Sequence, residues 1–178
     1  EWMIADAAKA HGFSYVILKA TQGATIEDPT WAHRCIEARR AGLLVGGYHF
    51  LTTTTTVESQ AYRCLARVSP FAPELGVFVD FEYPPPNEWA AHGVTGEQLV
   101  ARALEMCKRL EDGGVRRITV YTYPWFAKAL PYGEALLELC SYGLWIASYK
   151  NEKREPTADD APDVPAPWSS WRFWQWSG

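Results

Sequence analysis

The stretch Gly76-Val-Phe-Val-Asp-Phe-Glu82 decides the fold. It is apolar on both faces until its two carboxylates, and a strand of this composition is usually buried between two layers of structure. We therefore predict a buried strand over residues 76–82. Its two acidic side chains come last, so they should stand at the edge of the sheet where the strand ends.

Further strands and helices alternate on both sides of this stretch. The predicted strands cover residues 15–19, 43–50, 118–122, 144–149 and 172–176, and the predicted helices cover 30–41, 55–68, 95–112 and 124–130. Thr95, with Gln98 three residues later, predicts a capping box at the start of the helix 95–112. Strands separated by helices predict parallel pairing with right-handed crossovers. An open doubly wound sheet and a β/α barrel both fit. The segment Lys19-Ala-Thr-Gln-Gly23 matches no phosphate-binding loop, which weakens a nucleotide-binding interpretation.

Composition narrows the class of protein. The 178 residues predict one domain, 1–178, and the apolar share of 48% with 21% charged residues excludes disorder. No apolar run approaches the roughly 20 residues of a membrane span. A net charge of −4 argues against nucleic acid as a partner. Tryptophan is the outlier, with nine residues, and aromatic planes stack on the C–H faces of sugars.

The four cysteines lie far apart, on stretches predicted to be helical. No pair has the close spacing of a zinc or redox motif, so we expect reduced, structural thiols. The histidines form no cluster with acids at ligand spacing. The sequence therefore predicts no metal and no cofactor.

Asp80 and Glu82 carry the chemistry. They lie two residues apart on a strand, so they point to the same side, and their Cα atoms should be roughly 6.6 Å apart. Crowding raises the pKa of one carboxyl and leaves the other ionised. That division suits glycoside hydrolysis, which needs an acid for the leaving oxygen and a carboxylate for the cationic sugar. The plainer alternative is a pair of salt-bridged acids at a strand end.

Five motifs in order resemble the family 25 glycoside hydrolases, the Chalaropsis-type lysozymes that also serve as phage endolysins. The motifs are Phe13-Ser-Tyr-Val-Ile-Leu-Lys-Ala-Thr-Gln-Gly23, Gly46-Gly-Tyr-His-Phe50, Phe78-Val-Asp-Phe-Glu82, Leu144-Trp-Ile-Ala-Ser-Tyr149 and Phe173-Trp-Gln-Trp176. The resemblance implies an irregular β/α (TIM-like) barrel. It also implies N-acetylmuramidase activity, which cleaves the β-1,4 bond between N-acetylmuramic acid and N-acetylglucosamine in peptidoglycan.

The same resemblance assigns roles to individual residues. Glu82 would be the general acid, and Asp80 would hold the 2-acetamido group or stabilise the cationic centre. The positions that match the family's sugar groove are Tyr48, Tyr121 and Tyr149, and Trp145 and Gln175 stand in matching motifs.

Three further residues are open to two interpretations each. Trp89 follows Glu82 in a proline-rich loop and could either stack on a sugar or pack under that loop. Lys19 could stand at a strand end near the site or extend to the surface. His49 faces opposite to Tyr48 and Phe50, which favours a core histidine over a site residue.

The sequence also departs from the family. The family opens with an aspartate on its first barrel strand and has another acidic residue after its last, and neither is present here. Six predicted strands also fall short of the eight of a closed barrel. We therefore expect the first and last strands to be missing from this chain, and the domain to be incomplete at both ends.

The leading interpretation is a monomeric peptidoglycan muramidase whose partners are glycan strands. We expect it to act at the bacterial cell wall, after synthesis in the cytoplasm and release or secretion, with no signal peptide visible. A chitinase-like hydrolase is one alternative, although the longer D-x-x-D-x-D-x-E pattern of barrel chitinases is absent. A non-catalytic wall-binding or structural module on a degenerate barrel is another.

Overall fold

The computed structural model describes residues 2–149 and 154–178. The helices are α1 (Trp2–Ala10), α2 (Trp31–Arg40), α3 (Val57–Val68), α4 (Gly96–Asp112), α5 (Pro124–Ala129) and α6 (Glu134–Leu139). The strands are β1 (Tyr15–Gln22), β2 (Ile26–Glu27), β3 (Leu44–Phe50), β4 (Gly76–Asp80), β5 (Ile118–Thr122), β6 (Gly143–Ala147) and β7 (Phe173–Gln175). Within the described ranges, no helix has the length and hydropathy that crossing a membrane requires.

The strands form one curled sheet in the order β2-β1-β3-β4-β5-β6-β7. All neighbours are parallel except β2, which pairs antiparallel with β1. The curl brings Tyr15 of β1 to Phe173 of β7, with 5.5 Å between ring centroids, although these strands stand on opposite sides of the pairing order. The molecule is a mixed α/β protein with a seven-stranded half-barrel.

Several predicted elements need correction. The predicted strands pair in parallel as expected, whereas the antiparallel strand β2 was not predicted, because two residues are too few to leave a periodic pattern in the sequence. The short helix α6 was not predicted, and β4 ends at Asp80, two residues before the predicted end of the strand. The sheet that the structure describes is a half-barrel, and the eight-stranded closed barrel is not seen in it.

The two faces of β4 explain why the sheet curls. Val77 and Val79 point outward and belong to the main core, which the helices cover. Phe78 points inward, where its ring meets Trp145 at 5.4 Å and Phe173 at 5.2 Å between centroids. Burial on both faces is what the apolar stretch 76–79 predicts.

Side-chain caps fix where the longer helices begin. The Thr95 hydroxyl accepts a hydrogen bond from the Gln98 amide, and the Gln98 side chain accepts one from the Thr95 amide. This capping box was predicted from the sequence, and it satisfies two backbone donors at the start of α4. Thr56 similarly accepts a hydrogen bond from Ser59 at the start of α3.

All four cysteines are free: Cys35, Cys64 and Cys107 are buried, and Cys140 is half-buried. Burial raises the pKa of Cys35 to about 11 and that of Cys64 to about 12, so neither thiol is reactive at neutral pH. We expect a thiol reagent to modify four groups per chain in denaturant without reductant. In the folded protein modification should be slow, and a count of two or none in denaturant would contradict free thiols.

Gly47 lets α2 pack directly on β3. A Cβ atom at this position would stand 2.6 Å from the ring of Trp31, which is fully buried. Gly47→Ala should therefore overpack the core and lower the free energy of unfolding by about 1–3 kcal/mol, measured by urea denaturation. Gly133→Ala is the matched control, because its Cβ would meet nothing within 4 Å and its backbone is extended. Equal effects of the two substitutions would contradict this packing.

Candidate active site

The two predicted carboxyls stand where β4 ends. Asp80 is the last residue of the strand and is only 8% exposed, while Glu82 follows it and is half-buried. Phe78 points into the curl, so the alternation along the strand sends Asp80 to the same inner side. The sequence thus brings both acids to the carboxyl edge of the sheet.

Burial dominates the electrostatics of the pair. It raises the pKa of Asp80 to about 8, the Glu82 carboxylate adds to the rise, and the Lys19 ammonium opposes it. Burial also raises the pKa of Glu82. Asp80 therefore holds a proton at neutral pH in the free protein. Among the described residues its Oδ1 atom has no hydrogen-bond partner, which leaves that oxygen available to a ligand.

Lys19 belongs to this site. Its Nζ atom donates to Gln22 Oε1 at 2.6 Å and stands 5.7 Å from the centroid of the Phe50 ring. Phe50 is the register partner of Asp80 on the neighbouring strand, so the ammonium lies beside the buried carboxyl. Of the two interpretations of Lys19, the structure supports the one near the site.

A groove of about 560 Å³ opens beside Glu82 at the ends of β5 and β6. It is lined by Glu82, Tyr121, Tyr123, Pro124, Trp125, Ala147, Ser148, Tyr149 and Asp163. Its lining combines aromatic rings with hydroxyl and carboxyl groups. Such a lining can hold a ligand that offers both apolar faces and polar edges.

Four of the predicted sugar-binding residues lie either in this groove or near the two acids. Tyr121 and Tyr149 line the groove, and Gln175 Nε2 donates to the Tyr149 hydroxyl at 2.8 Å, which orients that ring. Tyr48 is half-buried and pairs in register with Phe78, on the inner side of the sheet. Burial and then the Asp80 carboxylate raise its pKa.

The two predicted tryptophans take different positions. Trp145 packs edge-on against Tyr121, with centroids 4.5 Å apart, so it supports the groove from inside the curl. Trp89 donates its indole N–H to Pro84 O at 2.8 Å and meets the ring of Phe126 at 6.0 Å. Trp89 is not among the described residues that line the groove, and these contacts fit its second interpretation, packing under the loop.

The sequence analysis missed Tyr123, Trp125 and Asp163 in the groove. Tyr123 and Trp125 directly follow β5, so the rule that loops after strand ends build the site could have found them. Asp163 lies in a long polar loop, where the sequence carries no signal for the side that a residue faces.

His49 is a core residue, as its strand position predicted. It is fully buried on the outward face, with Nδ1 2.7 Å from the Thr21 hydroxyl and Nε2 3.2 Å from Gln60 Oε1. Gln60 Oε1 also accepts the Thr52 amide, so Nε2 is the donor to it and Nδ1 accepts from Thr21. Burial lowers the pKa of His49 to about 4, so it stays neutral.

Within residues 2–149 and 154–178, no group of three or more histidine, cysteine, aspartate or glutamate side chains could hold a metal ion. Asp80 and Glu82 are therefore a pair of acids without a third ligand nearby in the described part of the chain.

Comparison with known sequences identifies the family to which this chain belongs. A sequence model described as "Glycosyl hydrolases family 25" matches residues 2–178. Lysozyme M1 of Streptomyces globisporus is 22% identical over 183 residues, which cover 97% of this chain and 56% of that protein. The uncharacterized protein YegX of Escherichia coli K12 is 24% identical over 164 residues, covering 92% and 52%. The chain thus spans about half the length of these curated relatives.

Solved structures share the fold. A family GH25 lysozyme from Aspergillus fumigatus is 27% identical with a TM-score of 0.78, covering 98% of this chain and 81% of that one. A muramidase from Trichobolus zukalii is 24% identical with a TM-score of 0.77, covering 97% and 80%.

The raised pKa of Asp80 predicts a pH-dependent stability. The pKa of about 8 in the folded protein lies above the ordinary aspartate value of 3.8, so the stabilisation is present below about pH 4 and is lost as the pH rises through 8. Asp80→Asn stays neutral. We expect the gain in unfolding free energy of Asp80→Asn over wild type to grow from about pH 4 to 8 and then level off, measured by urea unfolding at each pH. A gain that is constant with pH would contradict the assignment.

Lys19→Met tests the neighbouring charge in the same experiment. Without the ammonium group the pKa of Asp80 should rise further. In the Lys19→Met background, the gain in unfolding free energy from Asp80→Asn should therefore continue to grow above pH 8. Lys128→Met is the matched control, because Lys128 pairs with Asp163 at 2.7 Å and is not among the groups that shift Asp80. The control should leave the pH range unchanged.

Proposed function

Because the chain belongs to glycosyl hydrolase family 25, we propose that it hydrolyses the β-1,4 bond between N-acetylmuramic acid and N-acetylglucosamine in peptidoglycan. The observation that carries this proposal is the pair Asp80 and Glu82 beside an aromatic groove. Two nearby carboxyl groups with raised pKa values are the catalytic groups that glycoside hydrolysis requires.

Glu82 is the proton donor in this proposal. It lines the groove, whereas Asp80 is buried behind it, so Glu82 is the carboxyl that a glycosidic oxygen can reach. Protonation of that oxygen accompanies cleavage of its bond to the anomeric carbon. A water molecule then adds to that carbon and returns a proton to the carboxyl pair.

Asp80 stabilises the sugar during cleavage, through its 2-acetamido group or its cationic centre. This role requires an ionised Asp80 and a protonated Glu82, whereas Asp80 holds the proton in the free protein. A bound glycan removes water from Glu82, which raises its pKa and favours transfer of the shared proton to it. Lys19 then favours the charge left on Asp80, because its ammonium lies beside that carboxyl.

The groove supports a glycan as the substrate. Tyr121 and Tyr149 offer rings for the C–H faces of sugars, and Gln175 holds the Tyr149 hydroxyl in place. Tyr48 lies on the side of the acids, within the electrostatic influence of Asp80. We further propose that residues 1–178 belong to one β/α barrel domain, that it acts as a monomer on glycan strands, and that it works at the bacterial cell wall.

Glu82→Gln tests the proposal, because it removes the proton donor and keeps the shape of the side chain. We expect clearing of a bacterial wall suspension to fall by about 10²–10⁴-fold, while the variant unfolds at a urea concentration no lower than that of wild type. Glu88→Gln is the matched control, since Glu88 is an exposed acid in the loop that follows, and it should clear walls like wild type.

The products distinguish the alternatives. A muramidase creates new reducing ends on N-acetylmuramic acid, a chitinase-like enzyme cleaves chitin oligomers, and a wall-binding module sediments with walls and clears nothing. Clearing by Glu82→Gln within threefold of wild type would contradict the role of Glu82.

A further inference from the structure

Tyr123 and Trp125 form an aromatic platform on one side of the groove. Their rings are nearly parallel, at 28°, with centroids 6.2 Å apart, and the Trp125 side chain is 54% exposed. Both residues line the groove together with Glu82. Burial and then the Glu82 carboxylate raise the pKa of Tyr123, so the platform begins close to the proton donor.

The helix that carries Trp125 is anchored by its next residue. Phe126 is fully buried and packs edge-on against Phe81, with 5.0 Å between centroids, and against Trp89 at 6.0 Å. Pro124 restricts the backbone at the first turn of α5, and the Ala127 amide donates to the Tyr123 carbonyl. Because Phe126 occupies the core, Trp125 is held outward and presents its ring without a large loss of entropy on binding.

Polar groups line the same groove as the two rings. They belong to Ser148, Tyr149 and Asp163, of which Asp163 is ion-paired with Lys128 at 2.7 Å. A nearly parallel ring pair in one groove with hydroxyl and carboxyl groups suits a ligand with apolar C–H faces and polar edges. A pyranose ring has both, whereas a lipid tail would leave the polar groups without partners.

We propose that Tyr123 and Trp125 form a sugar subsite beyond the bond that is cleaved, and that they make the protein prefer longer glycan strands. This subsite rests on the proposed function for the identity of its ligand, since the groove is continuous from Glu82 to Trp125. A sugar on the platform lies outside the reacting pair and adds binding energy only when the strand is long enough to reach it.

Binding of glycan fragments to a protein that cannot cleave them tests the subsite. The parent protein is Glu82→Gln, and the probes are peptidoglycan glycan fragments of one, two and three disaccharide units. The affinity for each fragment is measured by isothermal titration calorimetry. Adding Trp125→Ala to this parent should lower the affinity for the three-unit fragment about tenfold, which corresponds to about 1.4 kcal/mol of binding free energy. The loss should be smaller for the one-unit fragment, and Trp125→Phe should retain most of the affinity because a ring remains.

Tyr62→Ala in the same parent is the matched control. Tyr62 is an aromatic residue of α3 with 75% exposure, and it does not line the groove. It should leave the affinity for every fragment unchanged. Equal losses for all fragment lengths, no loss in Trp125→Ala, or an equal loss in Tyr62→Ala would each overturn the subsite.

The binding experiment separates the subsite from the proposed function. A wild-type protein that fails to clear walls contradicts the hydrolase, yet a length-dependent loss of affinity in Trp125→Ala would still support the platform. A wild type that clears walls, beside a parent that binds no fragment, overturns the subsite and leaves the hydrolase standing. Thermal unfolding of each variant identifies any loss of affinity that comes from misfolding.

Discussion

The packing of Phe78 inside the curled sheet determines where the site lies. Its ring meets Trp145 and Phe173, and these contacts fill the interior below the carboxyls. With that space occupied, the side chains one and two positions further along the inner face, Asp80 and Glu82, stand at the open edge. The apolar filling therefore supports the acids from below and excludes water from one side of Asp80, which is why its pKa rises.

The same arrangement costs stability. Ionising a side chain that is only 8% exposed would cost more, so the folded protein keeps the proton on Asp80 up to a pH of about 8. An apolar side chain in place of Asp80 would remove this cost. The chain instead keeps two acids and an ammonium group close together, with one carboxyl oxygen that has no hydrogen-bond partner among the described residues. Perturbed groups gathered at one edge of a sheet are typical of sites that act on a ligand.

Sequence reasoning found the strand that carries the acids, the capping box of α4 and the core position of His49. Each depends on a local pattern, namely a run of apolar residues, a spacing of three, or alternation along a strand. It did not find β2, the packing of Trp89 on Phe126, or the platform of Tyr123 and Trp125. These features depend on which distant segments of the chain meet. An aromatic residue after a strand gives the same sequence pattern whether it lines a groove or supports a loop.

Gly46 and Gly47 allow large side chains to approach the backbone of β3 closely from both faces of the sheet. A Cβ atom at Gly46 would stand 2.5 Å from the Phe78 ring on the inside, and one at Gly47 would stand 2.6 Å from the Trp31 ring on the outside. Two large rings thus touch the same short length of backbone from opposite sides. The size of Phe78 and the absence of a side chain at Gly46 are therefore sterically coupled, so a larger residue at Gly46 fits only together with a smaller side chain in place of Phe78.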